Sequence, residues 1–170
     1  MLNRGFEKAA NIRLGPSLYV CKMNQSLLLV EDNEHDVFLM KRALKQAEIQ
    51  NPLYVVGDGE QAIDYLAGNG EFNDRESYPF PALVFLDLKL PLKSGHDVLA
   101  WIRQSAGLLE SVVVVLTSSD EPSDINRAYK LGANSYLVKP PSLVQLRDLA
   151  KSFKWYWLQY NQFAECEAKE

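Results

Sequence analysis

Five side chains in this 170-residue sequence are of types that handle phosphate or a divalent cation, and each follows an apolar run. Glu31 and Asp32 close SLLLV, Asp87 closes ALVFL, Thr117 closes VVVVL and Lys139 closes SYLV. Runs apolar on successive positions are strands buried on both faces, as in a parallel sheet covered by helices. In an open sheet of that kind, ligands bind beyond the carboxyl ends of the strands, where strand order reverses. The five side chains therefore converge on one rim.

Charge decides what that rim needs. Three carboxylates against one ammonium leave a net of −2. A like-charged pair about 4 Å apart costs roughly 4 kcal/mol at an effective dielectric of about 20. Either some of these acids are protonated, or a cation sits among them. A hard, oxygen-lined pocket open to solvent suits Mg²⁺, which keeps several waters and takes one or two carboxylates with a phosphate oxygen. Asp87 can then act as a nucleophile toward a phosphoryl group. Thr117 and Lys139 can supply a hydroxyl and an ammonium to its oxygens.

The elements that must position these residues alternate. Strands are expected at Ser26–Glu31, Leu53–Val56, Ala82–Leu86, Val112–Leu116 and Ser135–Val138. Val37, Met40, Ala43, Leu44 and Ala47 recur at three- and four-residue spacing, marking an amphipathic first helix. Ala62, Ile63, Leu66 and Ala67 mark a second, with Asp58 as its N-cap. A third spans His96–Arg103 after Gly95, and a fourth, Ser123–Leu131, ends at Gly132 as its C-cap. Ser142 caps a fifth, running to about Phe163. The fold class is thus α/β, a doubly wound (βα)₅ domain whose simplest parallel sheet has the order 2-1-3-4-5.

Four blocks of this chain, LLLVEDNEHD, LVFLDLKLPLKSG, VVVLTSSDEPSD and ANSYLVKPP, resemble the signature blocks of CheY-like response-regulator receiver domains. Order and spacing match, and the resemblance covers about residues 25–163. It implies Asp87 as phosphoacceptor, Asp32 as a direct Mg²⁺ ligand and Glu31 as one acting through water. The backbone carbonyl of Lys89 becomes a further ligand, Thr117 the switch hydroxyl, Lys139 the phosphate partner and Tyr136 a rotating aromatic. It also implies a cis Lys139–Pro140 bond. Glu31 departs from the aspartate common at its position, and Lys89 lies at a variable one. The EDNEHD start, the long loop before the third strand and the SSxEPSDI segment resemble the small regulators paired with bacterial phytochrome histidine kinases. That resemblance implies a phytochrome-type sensor histidine kinase as partner, and a protein that catalyses only its own phosphorylation and dephosphorylation.

Composition narrows the rest. Net charge −4 argues against a nucleic-acid partner, and no apolar run approaches the roughly 20 residues of a membrane helix. Cys21 and Cys166 suggest neither a disulfide nor a metal site, so a cytoplasmic location is expected. Residues 1–24 read as an extension (1–22 dispensable, with Met23 a natural start), 25–163 as the domain and 164–170 as a tail. Asn69–Pro81 reads as an exposed polar loop, and His35 and His96 as surface residues. Asn33 and Asp36 read as helix-initiating residues rather than metal ligands. In the last helix Leu146, Ala150, Phe153, Trp157 and Tyr160 form a stripe for the sheet, while Leu149, Trp155, Tyr156, Leu158 and Phe163 lie partly off it. A helix apolar nearly all round is covered on more than one side. The expected cover is a second copy, in a homodimer through helix 4, strand 5 and helix 5; the alternative is that residues 1–24 fold back. With one helix after the fifth strand, output is expected through protein contacts. A phosphohydrolase would need a D-x-D pair after strand 1, and a flavin-binding flavodoxin-like protein a Ser/Thr/Gly-rich loop there; EDN is neither.

Overall fold

The computed structural model describes residues 26–105, 107–109 and 111–162. Five parallel strands, β1 (Leu27–Val30), β2 (Leu53–Val56), β3 (Leu83–Leu86), β4 (Val112–Thr117) and β5 (Ser135–Val138), lie in the order β2-β1-β3-β4-β5. Between and after them run α1 (Glu34–Gln46), α2 (Gly59–Ala67), α3 (Gly95–Gln104), α4 (Pro122–Lys130) and α5 (Leu143–Phe153). β1 and β3 pair residue for residue from Leu27↔Leu83 to Val30↔Leu86, which sets the ends of the two central strands level.

Successive strand residues feed opposite faces. Leu28, Val30, Val84, Leu86, Val113 and Val115 pack with Ala62, Leu66, Val98, Leu99, Ile102 and Ala128 of α2, α3 and α4. Leu27, Leu29, Leu83, Phe85, Val114 and Leu116 pack with Met40, Ala43, Leu44, Leu146, Ala150 and Phe153 of α1 and α5. Phe85 and Phe153 meet edge to face at 4.9 Å between ring centroids, a geometry worth about 0.5–1.5 kcal/mol beyond burial. The apolar runs were covered on both sides, as their sequence demands.

The starts of α1, α2, α3 and α5 are fixed by side-chain caps. Asn33 accepts from the His35 and Asp36 amides, Asp58 from Gln61 and Ser142 from Gln145, while Ser94 and Asp97 form a reciprocal capping box. At the end of α1, Glu48 N–H donates to Lys45 and Ile49 N–H to Leu44, leaving Glu48 in the left-handed region at φ 56°. That conformation suits glycine. Glu48→Gly should therefore raise stability by about 1 kcal/mol, or roughly 2–4 °C in melting temperature. The surrendered contact to Lys154, at 3.8 Å with Glu48 84% exposed, contributes little. A thermal melt showing a lower midpoint would contradict this.

Four expectations need correction. The stretch 69–81 is built, not loose: a 3₁₀ turn at Gly70–Asn73 buries Phe72, whose ring meets Tyr65 and Tyr78. Arg75 donates to the carbonyls of Tyr65, Leu66 and Tyr78, clasping the end of α2 at Gly68, which turns with φ 74°. Its polar composition hid scattered aromatics that pack together. Regular helix also ends earlier than expected, since residues Lys154–Tyr160 form a π-helix. Leu146, Ala150 and Phe153 are buried and Trp157 packs on the core, but Tyr160 is 72% exposed. Wider i→i+5 turns carry Tyr160 off the stripe that three- and four-residue spacing would continue. His96 is buried, its Nε2 3.4 Å from the Asp124 carbonyl between α3 and α4, whereas His35 is exposed as expected. Finally, no peptide bond among the described residues is cis, so Lys139–Pro140 is trans, the lower-energy isomer for an X–Pro bond. The expectations for residues 1–24, for Phe163, for 164–170 and for both cysteines lie outside the described residues. Among those described, no helix is long and apolar enough to cross a membrane.

Candidate functional site

Glu31 and Asp32 follow β1, Asp87 follows β3, Thr117 ends β4 and Lys139 follows β5, so all five stand at the carboxyl rim of the sheet. Glu31, Asp32 and Asp87 each offer a carboxylate oxygen within 4.8 Å of the others. Lys139 Nζ lies 2.5 Å from Glu31 Oε2 and 2.7 Å from Asp87 Oδ2. Sequence placed the three acids and Lys139 on one rim, and the structure brings their side chains together.

Asp87 is held from two directions. Its Oδ1 accepts from the backbone amides of Leu88 at 2.6 Å and Lys89 at 3.2 Å, while Oδ2 faces the ammonium. The backbone around it leaves no room: a Cβ on Gly95 would lie 2.0 Å from the Asp87 carbonyl oxygen and 2.8 Å from Leu88 Cα. Only glycine lets α3 start this close to the loop after β3, and the Gly95 amide donates to the Leu88 carbonyl at 3.0 Å.

Burial and charge oppose each other here. Burial raises the Glu31 carboxyl above its usual range, with the hydrogen bond from Lys139 pulling against it. Burial lowers Lys139, but hydrogen bonds to Asp36, Asp87 and Glu31 outweigh that and hold its ammonium above the ordinary lysine range. Asp32 is exposed, and among the described residues no cation pairs with it. Three carboxylates so close, one of them unpaired, fit a hard divalent cation bound through oxygen. Asp32→Asn should accordingly raise the melting temperature measured in chelator by about 2–4 °C, since repulsion at this spacing is roughly 1 kcal/mol even in water. The same variant should lose the further rise that Mg²⁺ gives the parent. Equal Mg²⁺ responses in the two proteins would exclude Asp32 as a ligand.

Thr117 is fully buried; its carbonyl accepts the Lys139 amide at 2.7 Å, and its hydroxyl accepts the Ser119 amide at 3.5 Å. Tyr136 donates its hydroxyl to the Ser119 carbonyl at 3.0 Å, and Ser119 donates to Asp124 Oδ2 at 2.6 Å. The Thr117, Ser119, Tyr136 and α4 start are thus one connected network. Lys89 is exposed beside Asp87. Sequence reasoning missed the part played by three residues. Asp36 does begin α1, as expected, yet its Oδ2 also reaches Lys139 Nζ at 2.8 Å. Its place in the first turn of α1, directly after the acid pair that ends β1, was the available signal. Ser119 and Asp124 are the other two, and nothing in their spacing singled out their contact.

Comparison with known proteins places this geometry. The family model described as response regulator receiver domain matches residues 27–151. The probable methanogenesis regulatory protein FilR2 of Methanothrix harundinacea is 38% identical over 136 residues, covering 80% of this chain and 85% of its own. Response regulator Rcp1 of Synechocystis is 38% identical over 133 residues, covering 78% of this chain and 88% of Rcp1. Its Mn²⁺-bound crystal structure superposes with a TM-score of 0.74 at 36% identity, over 82% of this chain and 99% of that one. The phosphorylated cyanobacterial phytochrome response regulator RcpA superposes with a TM-score of 0.77 at 34% identity, over 84% and 99%.

Proposed function

The chain belongs to the response regulator receiver domain family of two-component signalling, related to phytochrome-linked regulators such as Rcp1, and from that premise we propose that Asp87 is its phosphoacceptor. The single observation that carries this reading is the meeting of Asp87 with two further carboxylates and one ammonium at the rim of the sheet. Residues 25–163 form the domain in this reading. A sensor histidine kinase, of the phytochrome type on the likeness to RcpA, presents a phosphohistidine. An Asp87 oxygen attacks phosphorus in line with the leaving imidazole; the new O–P bond forms as the P–N bond breaks, and the imidazole keeps that electron pair. Asp32 and Asp87 would hold Mg²⁺ directly, with the Lys89 carbonyl, and Glu31 would hold it through water. When bound, the cation neutralises these acids and draws charge from the phosphoryl oxygens. Lys139 donates to one phosphoryl oxygen and Thr117 to another, at the cost of its contact with the Ser119 amide.

Moving Thr117 disturbs the Ser119 carbonyl on which the Tyr136 hydroxyl rests, and through Asp124 the start of α4. Tyr136 is then released to change rotamer, and the α4–β5–α5 face is reshaped. The protein catalyses nothing beyond gaining and losing its own phosphoryl group. Its output is protein contact in the cytoplasm, without nucleic acid, and includes a homodimer through that face. Exposed apolar side chains there favour the dimer: Tyr129 on α4, and Trp155, Tyr156 and Tyr160 beyond α5, each more than half exposed. Incubation with Mg²⁺ and acetyl phosphate tests the reading. A mass increase of one phosphoryl group, released by hydroxylamine and mapped to the peptide holding Asp87, is expected. Beryllofluoride should shift the monomer–dimer balance in sedimentation. A label stable to hydroxylamine, or one on another residue, would overturn the assignment.

A further inference from the structure

Lys139 meets an acid for which the phosphoacceptor reading has no use. An ammonium has three N–H donors, and here Glu31, Asp87 and Asp36 take one each, at 2.5, 2.7 and 2.8 Å. The three acids are not equivalent. Glu31 and Asp87 side chains are 2% and 7% exposed and belong to the cluster whose oxygens could share an ion. Asp36 is 32% exposed, comes from the first turn of α1 and stands outside that cluster. Its backbone is fixed, since the Asn33 side chain accepts from its amide.

A cation among the acids and a phosphoryl group on Asp87 would claim two of the three partners of Lys139. That same cation repels an ammonium, and a lysine stem is flexible enough to swing away. Among the described residues, Asp36 is the remaining carboxylate in reach of Lys139 Nζ. We propose that Asp36 is a positioning residue for phosphoryl transfer: it keeps the Lys139 ammonium beside Asp87 once the other acids are engaged, leaving two N–H groups for the phosphoryl oxygens. The inference rests on Asp87 being the phosphoacceptor. The plain alternative is an acid that serves only the start of α1, where negative charge favours the helix dipole.

A double-mutant cycle separates the two. Initial rates of label uptake from acetyl phosphate, in which acetate leaves as the O–P bond to Asp87 forms, are compared at saturating Mg²⁺ for the parent, Asp36→Ala, Lys139→Ala and the double variant. Asp36→Ala should slow uptake about tenfold, and Asp36→Asn, which keeps the shape at the helix start, should match it. Asp36→Glu should recover part of the rate. In the Lys139→Ala background, removing Asp36 should change the rate less than about twofold. Calorimetric titration should show the Mg²⁺ dissociation constant of Asp36→Asn within about threefold of the parent. Equal slowing in both backgrounds, or a Mg²⁺ affinity that falls as far as the rate, would overturn the proposal. If the parent labels on Asp87 and the Asp36 variants keep pace with it, this proposal alone fails. If the parent takes no label, the phosphoacceptor reading fails and this one with it.

Discussion

Asp87→Asn should carry no hydroxylamine-labile phosphoryl group under conditions that load the parent, a loss of at least about a hundredfold. An amide is a poor nucleophile, and it lacks the carboxylate oxygen from which an acyl phosphate forms. The change is nearly isosteric, so the Leu88 and Lys89 amides can still donate to the retained oxygen. It also removes one of three crowded negative charges. The variant should therefore fold at least as well as the parent, which a thermal melt verifies, and lost labelling cannot be ascribed to unfolding. Label on the variant at a rate near the parent's would show that another side chain is the acceptor.

The second large effect is on stability. Lys139→Met strips the ammonium from Glu31 and Asp87, whose side chains are 2% and 7% exposed. Breaking a buried ion pair from one side costs about 3–5 kcal/mol because an unpaired charge remains. In chelator near neutral pH, the fold should lose about 3 kcal/mol, and saturating Mg²⁺ should restore much of it by replacing the lost positive charge. Folding raises Lys139 above its unfolded value of 10.5, so its contribution is complete below that pH and drains away only as pH climbs through the higher folded value. Measurements at pH 7 thus register all of it. Urea titrations with and without Mg²⁺ give both numbers. An unchanged midpoint in chelator would mean that the three contacts to Lys139 add nothing to the fold.

Much of the architecture was legible because its strands are written as unbroken apolar runs, which admit one environment only. LLLV, LVFL and VVVVL could be covered on both faces and nowhere else. The site followed, since strand ends at one rim leave their next residues together. What stayed hidden depends on contacts between segments far apart in the chain. Phe72, Arg75 and Tyr78 look like punctuation in a polar stretch until Tyr65 supplies the surface they gather on. His96 has no apolar pattern of its own and is buried only because α4 lies across it. Asp36 was read correctly as a first-turn acid, but its reach to Lys139 spans 103 residues of sequence. The π-helical turn at Lys154–Tyr160 broke a stripe whose spacing assumed a regular helix.

The Arg75 clasp also separates two jobs along the chain. Its guanidinium ties the end of α2 to the segment leading into β3, and Asp74 closes a turn by accepting from the Glu76 amide and the Ser77 hydroxyl. Glu76 and Ser77 are therefore an exposed tip whose base is anchored on both sides. That tip lies at the end of the sheet opposite the acids, because it joins a helix end to a strand start. A short epitope or dye-labelled insert placed there would ride on the anchored base, giving the molecule an address tag remote from its chemistry.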